Sequence, residues 1–155
     1  NQRIVRLLRP GSVAGLELVV GQNYHHTAVA LEGTEVCRIP MAAIEQLGIH
    51  HPQLSRQMAL RWQQGLNEAD RFITELSTGT AESRVAHLLL FLQNDTPEDN
   101  CMAISREDMG AMLGITTETA SRVMAEFKRR GITQEVSAHD CRCDTAQLRK
   151  IASEQ

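Results

Sequence analysis

Residues 105–130 read SREDMGAMLGITTETASRVMAEFKRR, and the fold turns on how they are organised. Ser105 stands where a helix N-cap belongs, and Glu107 and Asp108 in the next turn complement a helix dipole. Met109, Met112 and Leu113 recur at helical spacing, which predicts a core-facing stripe. Gly114 falls where the chain must leave that helix with positive φ. Thr116 is then placed to cap a second helix whose buried face is Val123, Met124 and Phe127. Helix, tight glycine turn and helix form a helix-turn-helix pattern. On the second helix Glu118, Ser121 and Arg122 are spaced i, i+3 and i+4, so they share one face near its N-terminal end. That end of a recognition helix enters the DNA major groove. Arginine can donate two hydrogen bonds to guanine, glutamate can accept from the cytosine amino group, and serine does either. Thr116 and Thr119, with the first backbone amides, suit phosphate oxygens. An ordinary helical hairpin with a solvated polar face remains the alternative.

Working outward, the 155 residues match one domain or two small ones, and 42% hydrophobic with 23% charged residues excludes collagen-like and wholly disordered chains. Aromatics are 3%, too few for a base-stacking platform on single strands. The net charge of −3 argues weakly against a nucleic-acid partner, but charge is uneven. Between 119 and 134, Arg122, Lys128, Arg129 and Arg130 face Glu126 alone, a local basic excess. The longest apolar run, Val85 to Leu92, is far short of a membrane span, so no membrane partner is expected. Four cysteines do not make a dense disulfide framework, which favours a reducing, cytoplasmic setting. The chain begins at Asn1 rather than Met, and a missing N-terminal part is expected.

Before residue 50 the pattern predicts strands and turns. Arg3–Leu8 reads as a strand ended by Pro10-Gly11, and Thr27–Leu31 and Glu35–Ile39 flank a hairpin turn at Glu32-Gly33-Thr34. A short helix is predicted from Met41 to Leu47, stopped by Gly48. Pro52 opens a long helix to about Ser77, in which Met58, Trp62, Gly65, Ala69, Phe72 and Leu76 are spaced as a heptad seam. The seam predicts a dimer; a helix packed on its own domain is the alternative. A further helix is expected over Ala81–Gln93, then a polar loop from Asn94 to Asn100, two short helices and a compact C-terminal tail.

The run Thr116–Arg122 preceded by ISREDMGAMLG resembles the helix-turn-helix of the Crp/Fnr transcription regulators. Pro10-Gly11-Ser12-Val13-Ala14-Gly15 resembles that family's glycine turn in the β-roll sensor. Val36-Cys37-Arg38-Ile39-Pro40 resembles its last strand, and Leu54-Ser55-Arg56-Gln57-Met58-Ala59 the start of its dimerisation helix. The resemblance implies an α+β chain with a partial β-roll (cyclic-nucleotide-binding-like sensor) over 1–51, a dimerisation helix over 52–77 and a winged helix-turn-helix over 78–155. It implies a homodimeric regulator with RNA polymerase as a partner. Glu118, Ser121 and Arg122 match the E-x-x-S-R pattern of the Fnr branch, which implies the site TTGAT-N4-ATCAA. Arg122 would read guanine, Glu118 the opposite cytosine and Ser121 a thymine, with Arg106 on a phosphate.

The effector is not carried over with the fold. The family's cyclic-nucleotide pattern needs Gly-Glu and Arg-Ser; here Gly15 is followed by Leu16, and the second pair reads His26-Thr27. Neutral histidine is a poor substitute for the two-pronged guanidinium that clamps a phosphate. Gly65 and Leu66 stand where the adenine would be contacted. These departures argue against cyclic AMP. Cys37 matches the internal ligand of Fnr's iron–sulfur cluster, whose other three ligands precede the β-roll; it is otherwise a small apolar strand residue. The cofactor stays open, and a cluster or haem could be held only in a complete protein. His25-His26 reads as a surface pair or a haem ligand, and His139-Asp140-Cys141-Arg142-Cys143 as a wing with two incidental thiols or a metal site. A protein-docking module built on the long helix is the second function class. A metal or redox enzyme is the third, and no nucleophile–base pairing or phosphate loop supports it.

Overall fold

A computed structural model describes residues 3–31, 33–93, 100–137 and 140–154. It divides the chain into two units, residues 7–68 and residues 69–155 with 1–6.

The first unit holds a short 3-10 turn (Leu16–Val20), helix α1 (Met41–His50) and most of α2 (Gln53–Arg71). Helix α1 does not stop at Gly48. A glycine inside a helix costs only about 1 kcal/mol relative to alanine, and the helix runs on to His50, just ahead of His51 and Pro52. None of the described residues in 7–68 is buried. The strands expected over 27–31 and 35–39 carry no β-ladder among the described residues, and Glu32 lies outside them. A strand is stable only with a neighbour to complete its ladder, and these short segments do not pair with each other. The strand expected at Arg3–Leu8 also fails to form. Instead the Ile4 amide donates to the Ala111 carbonyl at 3.3 Å, where a helix end leaves carbonyls without intrahelical partners.

In the second unit α2 is continued by a π-helical turn, Phe72–Leu76. Next come α3 (Ala81–Leu92), strand β1 (Asn100–Met102), α4 (Arg106–Leu113) and α5 (Thr117–Arg129). Strands β2 (Thr133–Glu135) and β3 (Asp140–Cys143) and helix α6 (Thr145–Ser153) complete it. The strands form one antiparallel sheet in the order β1-β3-β2, so the α+β class holds here. The expected compact tail takes the form of helix α6: Asp144 caps it by accepting from the Gln147 amide at 3.0 Å, and Leu148, Ile151 and Ala152 are buried. Its main neighbour is α3, whose Ser83 hydroxyl donates to the Ala152 carbonyl at 3.3 Å. The expected loop over 94–99 lies outside the described residues.

Every buried residue described lies between Leu76 and Ala152. Leu88, Met109, Met112, Leu113 and Phe127 are withdrawn from solvent and come from α3, α4 and α5. Each such side chain stabilises the unit by about 1.5–3 kcal/mol relative to exposure.

Candidate nucleic-acid interface

Helices α4 and α5 are built by their caps. The Ser105 hydroxyl accepts from the Asp108 amide at 3.0 Å, and Thr116 accepts from Thr119 at 3.1 Å. Gly114 between them takes φ 65°, the left-handed conformation expected of it. Two further supports were not foreseen. At Gly110 a Cβ would stand 2.8 Å from the Ile115 carbonyl oxygen, so only glycine lets the turn into α5 pass so close to α4. Arg84 on α3 donates from Nη1 to the Leu113 carbonyl at 2.8 Å, capping α4's C-terminal end from another helix. A glycine inside an otherwise helical pattern hinted at Gly110; nothing local pointed to Arg84.

Helix α5 buries Ala120, Val123, Met124 and Phe127 and turns Glu118, Ser121 and Arg122 outward, all three exposed. The predicted triplet is therefore brought together on one solvent face. Among the described residues Arg122 has no hydrogen-bond or ion-pair partner, which leaves its donors available. The Glu118 carboxyl is held below its ordinary range by its own backbone amide and the Thr116 hydroxyl. It is an ionised acceptor at neutral pH.

The expected phosphate contacts divide. Arg106 opens α4 and lines a shallow cleft with Ser121, Lys128, Glu135 and Ser137. Thr116 and Thr119 are already engaged: the Thr116 hydroxyl caps the helix and also lies 3.1 Å from the Thr119 hydroxyl. The basic run is less free than its sequence implies. Lys128 pairs with Glu135 at 2.9 Å, Arg129 pairs with Glu126, and Arg130 approaches Glu82 at 3.8 Å. The Lys128 ammonium in turn holds the Glu135 carboxyl below the ordinary range.

On the long helix Trp62 and Ala69 are exposed, and Met58, Gly65 and Phe72 are half-buried. Leu76, by contrast, is 3% exposed and packs into the second unit's own core. Leu76 ends the π-helical turn Phe72–Leu76, whose wider winding departs from the 3.5-residue spacing expected of a heptad seam.

Cys37 is an exposed free thiol, and neither it nor His25 or His26 joins a group of metal-ligating side chains among the described residues. His139 lies outside them. Cys141 and Cys143 are not incidental thiols of the wing: they converge with a third sulfur, that of Cys101.

Two helices joined by a glycine turn, followed by a β-hairpin on a three-stranded sheet, define a winged helix-turn-helix domain. Residues 83–151 match the Crp-like helix-turn-helix domain family. The chain is 30% identical over 138 residues to the transcriptional activator protein Anr of Pseudomonas aeruginosa, covering 85% of this chain and 57% of that protein. It is 26% identical over 158 residues to the fumarate and nitrate reduction regulatory protein of Vibrio cholerae, covering 98% and 63%. A transcriptional regulator of the CRP/FNR family from Thermus thermophilus superposes with a TM-score of 0.74 at 28% identity, over 96% of this chain and 75% of that one. Residues 83–151 carry the Crp-like helix-turn-helix domain, and the chain as a whole is similar to regulators of the Crp/Fnr family. It spans less than two thirds of the length of these curated relatives.

Proposed function

We propose that the protein is a sequence-specific DNA-binding transcription regulator that reads an inverted repeat as a homodimer. The observation that carries this reading is the outward face of α5. Glu118, Ser121 and an unpartnered Arg122 project together from the helix's N-terminal half, over a fully buried opposite face. Its relatives are transcription regulators, not enzymes.

In this reading Arg122 donates two hydrogen bonds to a guanine, Glu118 accepts from the opposite cytosine and Ser121 meets a thymine, on TTGAT-like half-sites. Arg106 and the amides at the start of α5 grip phosphates, Thr116 and Thr119 serving through the cap they build. Met58, Trp62, Gly65, Ala69 and Phe72 form the dimer seam. The working division is a sensor portion over 1–51, a dimerisation helix over 52–77 and a DNA-binding domain over 78–155. RNA polymerase is the partner, in the cytoplasm, and the sensor portion responds to something other than cyclic AMP. Among the described residues no helix is long and apolar enough to cross a membrane.

The test is fluorescence anisotropy on a TTGAT-N4-ATCAA duplex and on one with both guanines replaced, at several salt concentrations. Preference for the intact site, lost in Arg122→Ala, supports the reading. Equal and steeply salt-dependent binding to both duplexes would retain DNA binding and overturn the assigned code. Salt-independent or absent binding, with assembly through the long helix intact, would favour a protein-docking module.

A further inference from the structure

We propose that Cys101, Cys141 and Cys143, once reduced, form a binding site for a soft metal ion of the zinc class on the wing sheet. Cys141 and Cys143 are two apart on β3 and so face the same way. The register sets Cys101 of β1 directly opposite Cys141, with Cα atoms 5.3 Å apart. Three sulfurs therefore meet on one face of the sheet, all within 4.8 Å of one another and all buried. The Cys143 sulfur lies 2.6 Å from that of Cys101 and 3.7 Å from that of Cys141. A buried cysteine alone is most simply a small apolar residue. Three whose sulfurs meet at one point are a donor set.

In this structure Cys101 and Cys141 are joined as a disulfide, and Cys143 lies outside that bond. Reduction by a dithiol, which ends as its own disulfide, delivers two electrons and two protons to that bond and leaves three thiols. Metal binding then releases one proton from each thiol and forms three metal–sulfur bonds. Zinc–sulfur bonds of about 2.3 Å at tetrahedral angles need sulfurs roughly 3.8 Å apart. Cys141 and Cys143 already meet that spacing, and freeing Cys101 from the disulfide lets its sulfur swing back to complete the triangle. Thiolates select zinc or copper(I) over calcium and magnesium, and three of them leave the fourth position of a tetrahedral ion open. The ion would bridge β1 and β3, and β3 is paired to β2, which Glu135 ties to α5 through Lys128.

The test uses the full chain, reduced anaerobically with a phosphine and titrated first with cobalt(II), then with zinc. The expected result is one ion per chain, with a thiolate-to-cobalt charge-transfer band that zinc abolishes. Cys101→Ser, Cys141→Ser and Cys143→Ser should each weaken uptake at least tenfold, while Cys37→Ser leaves it unchanged. One equivalent of zinc should also raise the unfolding midpoint of the reduced parent, a readout that needs no variant to fold. A reduced parent that takes up neither ion, or whose midpoint zinc does not move, overturns the proposal. So does uptake lost in Cys37→Ser and retained in Cys143→Ser. None of these readouts involves DNA, so their failure would leave the regulator reading untouched.

Discussion

Arg122 and Gly110 make opposite demands on the helix-turn-helix. Among the described residues Arg122 has no hydrogen-bond or ion-pair partner, and in the proposed reading its value lies in what it can reach. Arg122→Ala should therefore leave the unfolding midpoint within experimental error yet lose about 1–3 kcal/mol of preference for a guanine-containing half-site. A variant that loses stability instead would show the side chain to be structural. Gly110 faces inward, with the Ile115 carbonyl 2.8 Å from where a Cβ would be. Gly110→Ala gains up to about 1 kcal/mol of helix propensity, but it pushes a methyl against backbone that cannot rotate away. Overpacking of that kind costs about 1–3 kcal/mol. The expected net effect is destabilisation in urea unfolding, together with weaker duplex binding because the α4–α5 turn must shift. An unchanged or raised midpoint would mean that the turn yields freely. Both residues were visible in the sequence, but only Arg122's place on an exposed face was legible, because its i, i+3, i+4 partners lie within one helix. Gly110's reason is a carbonyl on the far side of the turn.

Helices of this domain are set by their first residues, and those are short-range features. Ser105 and Thr116 were readable as caps because a cap spans only three positions. Ser105→Ala should cost about 1 kcal/mol of stability, read as a lower urea midpoint with α5 intact. Asp144 does the same for α6, and its carboxyl is held below the ordinary range mainly by the Gln147 amide. A depressed folded-state pKa means the cap's contribution is fully present above the unfolded aspartate pKa. It is lost as pH falls through the folded one. Asp144→Asn should flatten the acid side of the stability profile while leaving its neutral side nearly unchanged, since asparagine caps at any pH. An unaltered acid limb would separate α6 from the acid transition. The cap of α6 and its stripe of Leu148, Ile151 and Ala152 were legible in principle. The segment after β3 is short, and its compactness was easier to read than its helical form. Register is another matter: Cys101 and Cys141 are 40 residues apart, and no local pattern says they face each other.

At the scale of the whole chain, the two units differ in kind. From Leu76 onward the chain buries its apolar side chains; across 7–68 none of the described residues is buried. Strand-like composition before residue 40 could be read locally, but ladders are non-local, and the segments carrying that composition do not find one another here. The heptad spacing on α2 was legible for the same reason the caps were, being a repeat within one element. Its end was not. The stripe predicts a seam through Leu76, whereas Leu76 lies at the end of a π-helical turn and is buried in the second unit's core. That division yields a discriminating pair of variants. Trp62→Glu puts a charge on an exposed seam position, where a partner helix would have to bury it without compensation. It should convert a dimer to a monomer by light scattering at micromolar concentration while the second unit keeps its unfolding midpoint. Leu76→Ala should do the reverse: it removes a buried side chain from the chain's own core, costs about 2–5 kcal/mol, and leaves the oligomeric state of the folded fraction unchanged. If Trp62→Glu lowers the midpoint without changing the mass, α2 packs on its own chain and the homodimer reading fails. If Leu76→Ala dissociates a dimer, the π-helical turn does not mark the end of the seam.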